Sequence, residues 1–191
     1  RTPPVRFRLR LLPSAILAAL VVPAAAGPLT AQQPEARYAE EARALADVAA
    51  IREAFATVEE LDAWSTDLLV ELTEIPAPPF LEEVRGRRFG ELLLELGADS
   101  VWTDTEGNVI GLRRGRRGDR VVALGGHLDT VFPEGTDVTV RQRGDTLYAP
   151  GIGDDTRGLV VVLTTLRAME AAGVETDADV WFVGVVGEEG L

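Results

Sequence analysis

Apolar residues recur at helical spacing in three stretches of the chain. They fall at every third or fourth position in residues 58–74, and the same period returns in residues 81–96 and 157–172. Residues 35–56 are rich in alanine, glutamate and arginine, which favours a helix. The sequence therefore predicts four helices, and the proline-rich residues 75–79 are expected to end the second.

Short runs rich in valine, leucine and other strand-forming residues alternate with turn signals between these helices. Two pairs of runs predict hairpins, one around Glu106-Gly107 and one around Gly144-Asp145. The paired runs are residues 99–104 with 108–113, and residues 137–142 with 146–149.

Two further runs, residues 120–126 and 179–186, are apolar enough to predict buried strands. Helices and strands that alternate in this way predict a three-layer α/β fold with a central mixed sheet.

Composition narrows the possible functions. The 191 residues are 46% hydrophobic, which suits one folded domain with a core. Residues 27–191 contain 15 arginines against 31 acidic residues, so this part should repel phosphate backbones, and a nucleic-acid partner is not expected. Cysteine is absent, which leaves aspartate, glutamate and the one histidine, His127, as metal ligands.

The N-terminus has the layout of a secretory signal peptide. Four arginines in the first ten residues precede an uncharged apolar run, residues 11–26, which ends in Ala24-Ala25-Ala26. We expect a signal peptide over residues 1–26 and export to the periplasm or the medium. An uncleaved membrane anchor is the alternative, although 16 residues are short for a span. Residues 27–57 are expected to form a linker and an N-terminal helix.

Three polar clusters follow predicted strands or hairpins. They are Gly126-His127-Leu128-Asp129-Thr130, Gly151-Ile152-Gly153-Asp154-Asp155 and Gly187-Glu188-Glu189-Gly190. Sites in open α/β sheets gather beyond the carboxyl ends of strands, so the three clusters can converge on one rim.

The residue types in these clusters suit a hydrolytic metal site. His127 offers an imidazole ligand, and Asp129 could accept the other ring N–H and fix the tautomer. Asp154 could bridge two metal ions. Adjacent glutamates in an extended segment point to opposite faces, so Glu189 could ligate a metal while Glu188 acts as a general base.

Each cluster also has an ordinary structural explanation. A lone histidine at a strand end is usually structural, Asp154 and Asp155 could cap the next helix, and two glutamates after a strand often form a solvated turn. The order of the clusters and their positions at the ends of predicted elements favour the metal site.

The clusters resemble motifs of a known family. Residues 124–131 resemble the H-x-D-T-V motif of the di-zinc metallopeptidase family that includes aminoacylase, peptidase T and glutamate carboxypeptidase. Residues 149–155 and 187–190 resemble the second and third motifs, and residues 75–83 are similar to the first proline-rich turn. The resemblance covers roughly residues 55–191.

The resemblance implies a role for each site residue. His127 would ligate one zinc ion, Asp154 would bridge both ions and Glu189 would ligate the second. Glu188 would be the general base, and Asp129 would orient His127. Cobalt or manganese could occupy the same ligands.

The resemblance also implies a fold and an extent. Residues 58–191 would be the N-terminal part of a zinc-exopeptidase-like catalytic domain, truncated before the lid domain that binds substrate and usually mediates dimerisation. Three of five expected metal ligands are present, so the 191-residue chain alone is expected to be inactive.

Three functions remain open at this point. The first is a peptidase T-like exopeptidase that cleaves small peptides with a metal-activated water. The second is an amidohydrolase acting on N-acyl amino acids, and the third is a non-catalytic metal-binding module. No stable membrane partner is expected for the mature chain.

Overall fold

A computed structural model of the chain describes residues 36–190. The predicted signal peptide, residues 1–26, lies outside the described residues. The helices are α1 (Ala36–Ala46), α2 (Ala49–Glu60), α3 (Asp62–Thr73), α4 (Glu83–Glu95) and α5 (Arg157–Ala171). The strands are β1 (Ser100–Thr103), β2 (Val109–Arg113), β3 (Val121–His127), β4 (Arg141–Arg143), β5 (Thr146–Tyr148) and β6 (Asp179–Val185). Among these residues, no helix combines the length and apolar character that a membrane span requires.

Four of the strands form a mixed sheet in the order β1-β2-β6-β3. β1 pairs with β2, and β2 with β6, in the antiparallel sense, whereas β3 and β6 run parallel. β4 and β5 form a separate hairpin around Gly144-Asp145. The α/β class, the mixed sheet and both hairpins are therefore confirmed, although β4 begins at Arg141 and the strand predicted from residue 137 is wrong over residues 137–140.

The hydrophobic core lies between the sheet and the helices that cover one of its faces. Along β6, Val180 and Phe182 are buried on this face. Leu93 of α4 and Leu163 of α5 pack in the same cluster and are fully buried. On the opposite face of β6, Trp181 is half-buried.

The first two predicted helices are divided differently in the structure. The helix predicted over residues 35–56 is wrong as one element, because Val48 is extended and separates α1 from α2. The helix predicted over residues 58–74 is likewise interrupted at Leu61, which ends α2 and precedes α3. Periodicity alone missed these breaks, since neither position carries proline or glycine.

Strand β3 is formed where it was predicted but is not buried along its whole length. Val121, Val122 and Ala123 are exposed, whereas Gly126 and His127 at its end are buried. The expectation of a fully buried strand is wrong because β3 is the last strand in the described order, with β6 on one side. Its buried end is covered by the start of α5 and the turn before it.

Candidate metal centre

The parallel strands β3 and β6 end side by side, which brings two of the three polar clusters together. His127, the last residue of β3, is in register with Val185, the last residue of β6. The next residue, Leu128, donates its backbone N–H to the Val185 carbonyl at 2.7 Å. The segments that follow the two strands therefore leave the sheet from the same edge.

The His127 ring bridges the first and second clusters. Its Nε2 lies 2.9 Å from Asp154 Oδ1, and its Nδ1 lies 3.0 Å from the backbone carbonyl oxygen of Asp129. A carbonyl can only accept, so Nδ1 carries a hydrogen and Nε2 is left available to a metal in the neutral ring. The Asp129 carboxylate lies 3.4 Å from Nδ1. The hydrogen bond predicted for the side chain of Asp129 is therefore made, at the shorter distance, by its backbone carbonyl.

The surroundings of His127 act on its pKa in opposite directions. Burial lowers the pKa, while the hydrogen bond with Asp154, the Asp129 carbonyl and the nearby carboxylates of Asp155 and Asp129 raise it. The net effect is a pKa above the usual value, which reflects the concentration of negative charge around the ring.

The neighbouring aspartates in the second cluster have different environments. Asp154 is exposed, and its side chain contacts the His127 ring at 2.9 Å. Asp155 accepts the backbone N–H of His127 at 3.1 Å and that of Gly158, in the first turn of α5, at 3.0 Å. The capping explanation therefore holds for Asp155, whereas Asp154 remains available as a ligand. The peptide bond between them is cis.

Two glycines make room for the Asp155 carboxylate. A Cβ atom at Gly126 would lie 2.7 Å from Asp155 Oδ2, and one at Gly158 would lie 2.1 Å from Asp155 Oδ1. Both distances are far inside van der Waals contact. Glycine at these positions therefore allows α5 and β3 to approach the same carboxylate.

Three of the predicted site residues form one potential metal-binding group. Ligand atoms of His127, Asp154 and Glu189 all lie within 4.8 Å of one another. One imidazole nitrogen and two carboxylate oxygens are a donor set that zinc and related divalent metals accept. The structure thus brings together one residue from each of the three sequence clusters.

Asp129 and Glu188 lie beside this group without belonging to it. The Asp129 side chain is fully buried and accepts the backbone N–H groups of Glu188 at 3.2 Å and Glu189 at 2.7 Å. Glu188 is exposed. Asp129 therefore ties the third cluster to the first.

A buried arginine supports the segment that contains Asp129. Arg85 is fully buried and donates to the carbonyl oxygen of Leu128 at 2.8 Å and to that of Ile75 at 2.6 and 3.0 Å. Burial lowers its pKa to about 10, while the charge of Asp129 acts in the opposite direction. The guanidinium group therefore joins the proline-rich stretch to the segment after β3 and places positive charge near Asp129.

Sequence reasoning missed three residues that contact the site segments. They are Arg85, Glu82 and Asn108. The buried carboxylate of Glu82 accepts the Gly187 N–H at 3.0 Å. The amide oxygen of Asn108 accepts the Val186 N–H at 3.0 Å. Glu82 and Gly187 are 105 residues apart, and Asn108 and Val186 are 78 apart. Hydrophobic periodicity is a local pattern and does not predict contacts between residues so far apart in the sequence.

The geometry agrees with a match to a known family. Residues 123–191 match the model of peptidase family M20/M25/M40, and this segment contains every residue predicted for the site. The match covers about a third of the 191 residues. The predicted resemblance to this peptidase family is thereby confirmed for residues 123–191.

Two sequence relatives show the extent of the likeness. A protein named as a LysW-lysine/LysW-ornithine hydrolase from Pyrococcus abyssi (strain GE5 / Orsay) is 38% identical over 123 residues, which are 64% of this chain and 33% of the relative. Carboxypeptidase G2 from Pseudomonas sp. (strain RS-16) is 38% identical over 69 residues, or 35% of this chain and 16% of the relative. The chain thus aligns with a third or less of the length of these relatives.

A solved structure shows the same fold. The dipeptidase Dug1p from Saccharomyces cerevisiae superposes with a TM-score of 0.62 at 15% identity, covering 74% of this chain and 36% of Dug1p. At that identity the likeness concerns the fold alone.

Proposed function

We propose that the full-length protein is a zinc-dependent exopeptidase that hydrolyses peptide bonds of small substrates, in the manner of peptidase T. The observation that carries this proposal is the convergence of His127, Asp154 and Glu189, whose ligand atoms lie within 4.8 Å of one another. These residues come from three separate segments within the region that matches the M20 family. An ordinary solvated turn would not require that convergence.

The residues present fit a divalent metal. His127 has Nδ1 engaged with the Asp129 carbonyl, so Nε2 is the nitrogen left to bind. Asp154 has an exposed carboxylate with room for more than one ligand bond, which agrees with a bridging role between two ions. Bound metal ions would lower the pKa of water and polarise the carbonyl group to be cleaved.

Two acidic residues beside the metal ligands have different roles in the reaction. Glu188 accepts the proton that the attacking water loses, and its exposure leaves the carboxylate open to solvent and substrate. Asp129 keeps Glu188 and Glu189 in place through their backbone N–H groups. Asp129 also orients His127, mainly through its own backbone carbonyl.

The test is hydrolysis by the purified full-length protein before and after metal removal. A chelator should abolish cleavage of dipeptides and tripeptides, and added zinc should restore it. Cobalt and manganese, tested in parallel, would show which metals the ligands accept. Chelation that leaves hydrolysis unchanged would contradict a metal-dependent reaction.

The second candidate is an amidohydrolase that releases amino acids from N-acyl conjugates. It stands because one sequence relative is named as a hydrolase of LysW-linked lysine or ornithine, whereas the other is named as a carboxypeptidase. Matched substrates separate the two. A larger kcat/KM for peptides with a free N-terminus favours the exopeptidase, and a larger kcat/KM for N-acetyl amino acids favours the amidohydrolase.

A further inference from the structure

Four consecutive backbone N–H groups after β6 donate to side chains from distant parts of the chain. These groups belong to residues 186–189, which contain the proposed base and one proposed metal ligand. The acceptors are Asn108 Oδ1 for Val186, Glu82 Oε1 for Gly187, Asp129 Oδ1 for Glu188 and Asp129 Oδ2 for Glu189, at 3.0, 3.0, 3.2 and 2.7 Å. The backbone N–H groups of this segment are therefore hydrogen-bonded to side chains, whereas those of a strand would be hydrogen-bonded to the backbone of a neighbouring strand.

Glu82 connects this segment to the start of α4. Its buried Oε1 accepts the Phe80 N–H at 2.8 Å as well as the Gly187 N–H. Phe80 has a left-handed backbone, with φ of 64°. Its ring would lie only 2.9 Å from a Cβ atom at Gly187 and 2.7 Å from one at Gly190. Glu82 thus holds Phe80 where its ring packs directly on the glycines that flank Glu188 and Glu189.

Asn108 connects the segment to the β1–β2 hairpin. Its side-chain N–H donates to Asp104 Oδ2 at 2.8 Å, so the amide oxygen is directed towards the Val186 N–H. Asp104 also accepts the backbone N–H groups of Glu106, Gly107 and Asn108 at 2.9–3.0 Å. The amide of Asn108 therefore has one orientation that satisfies both of its partners.

We propose that Glu82 and Asn108 are positioning residues that hold the segment containing Glu188 and Glu189 in its working geometry. The inference rests on the proposed function, because it assigns the consequence of that geometry to the base and the metal ligand. A catalytic group displaced by about 1 Å can lose on the order of a hundredfold in rate. Asn108 and Glu82 restrict such displacement at residues 186 and 187, and Asp129 restricts it at residues 188 and 189.

The first experiment compares variants at Glu82 and Glu83 in the full-length, metal-loaded protein. Glu82→Ala removes the acceptor for two N–H groups, and we expect kcat to fall about 10–100-fold, the scale of other supporting groups around a metal site. Glu82→Gln keeps an oxygen at the same position and should recover most of that loss. Glu83→Gln is the matched control, because the Glu83 side chain is 91% exposed and pairs with the exposed Arg87 at 3.5 Å.

The second experiment applies the same reasoning to the hairpin. Asn108→Asp places a carboxylate beside Asp104, removes the N–H that orients it, and should lower kcat by about tenfold or more. Glu106→Gln changes the charge of the same turn at an exposed side chain and should leave kcat unchanged. Equal kcat for the Asn108→Asp variant and the wild type would overturn the role of Asn108.

A double-mutant cycle distinguishes positioning from a general loss of stability. If Glu82 acts through Glu188, Glu82→Ala should lower kcat strongly in the wild type and only slightly in the Glu188→Gln background. Equal fold-losses in both backgrounds would overturn the inference and leave the proposed function intact. The proposed function fails instead if Glu188→Gln alone retains full activity. Circular dichroism and metal content of each variant show whether it is folded and loaded.

Discussion

The buried carboxylate of Asp129 accepts the backbone N–H of Glu189 at 2.7 Å, although the two residues follow different strands. The same carboxylate accepts the Glu188 N–H, and the backbone carbonyl of Asp129 faces His127 Nδ1. One residue therefore contacts the ring of His127, a proposed metal ligand, and the backbone of both Glu188 and Glu189, the proposed base and the other proposed ligand. Parallel pairing of β3 and β6 makes this possible, because it ends both strands at the same edge.

Asp129→Asn should weaken metal binding without removing a metal ligand. An amide offers one oxygen to two N–H donors, so one backbone N–H must face an NH₂ group or lose its partner. We expect the metal dissociation constant to rise about 10–100-fold and the free energy of unfolding to fall by about 1–3 kcal/mol. Metal titration followed by urea unfolding measures both.

Asp145→Asn is the control for this variant, because Asp145 lies in the exposed turn between β4 and β5. It makes the same chemical change outside the site and should leave both quantities unchanged. If Asp129→Asn binds metal as tightly as the Asp145→Asn control, Asp129 does not organise the ligands.

Gly126→Ala and Gly125→Ala form a matched pair in β3. The new Cβ atom at residue 126 would lie 2.7 Å from Asp155 Oδ2, whereas at residue 125 it would lie 3.4 Å from the nearest atom, an ordinary contact. We expect Gly126→Ala to lower the free energy of unfolding by about 2 kcal/mol, as overpacking commonly does. Gly125→Ala should stay within about 0.5 kcal/mol of the wild type. Similar urea midpoints for the two variants would show that Asp155 can move away freely.

Arg85→Met should destabilise the fold more than Arg87→Met, although the two arginines are neighbours on α4. Arg85 is fully buried, and its removal leaves the Ile75 and Leu128 carbonyl groups without their donors. The expected loss in the free energy of unfolding is about 3 kcal/mol. The Arg87 side chain is 58% exposed and its loss should change the value by less than about 0.5 kcal/mol. Equal losses would mean that Arg85 contributes through its volume alone.

The part of the site that could be predicted from the sequence is the part that follows strand ends. Apolar runs located β3 and β6, and the rule that sites gather at carboxyl ends of strands predicted that His127, Asp154 and Glu189 would meet. The structure brings their ligand atoms within 4.8 Å. These three residues could be recognised as candidate metal ligands because each lies next to a glycine just after a predicted strand or hairpin.

The rest depends on contacts between residues far apart in the sequence. Glu82 lies within the helix predicted over residues 81–96, and Asn108 begins the strand predicted over residues 108–113. Neither pattern indicated their contacts with Gly187 and Val186. The break at Val48 and the exposed edge of β3 were missed for a related reason. Both depend on which elements pack alongside, and local periodicity does not encode that.

Export of the protein remains a prediction from the positive and apolar residues of the first 26 positions. In cells that express the full-length gene, N-terminal sequencing of the mature protein should begin near Gly27 or a few residues later. The mature protein should be recovered from the periplasm or the medium. Soluble cytosolic protein that retains Arg1–Ala26 intact would contradict export.

The central claim is that adjacent glutamates, Glu188 and Glu189, have different tasks. Metal analysis beside steady-state kinetics of Glu188→Gln and Glu189→Gln in the full-length protein tests it most directly. Glu188→Gln should keep the wild-type metal content and lower kcat by about a hundredfold or more, because an amide cannot accept the proton. Glu189→Gln should lose metal, since a neutral amide is a poor zinc ligand, and should regain part of its activity with excess zinc. The account is contradicted if Glu188→Gln loses metal while Glu189→Gln keeps it, or if both variants retain full activity.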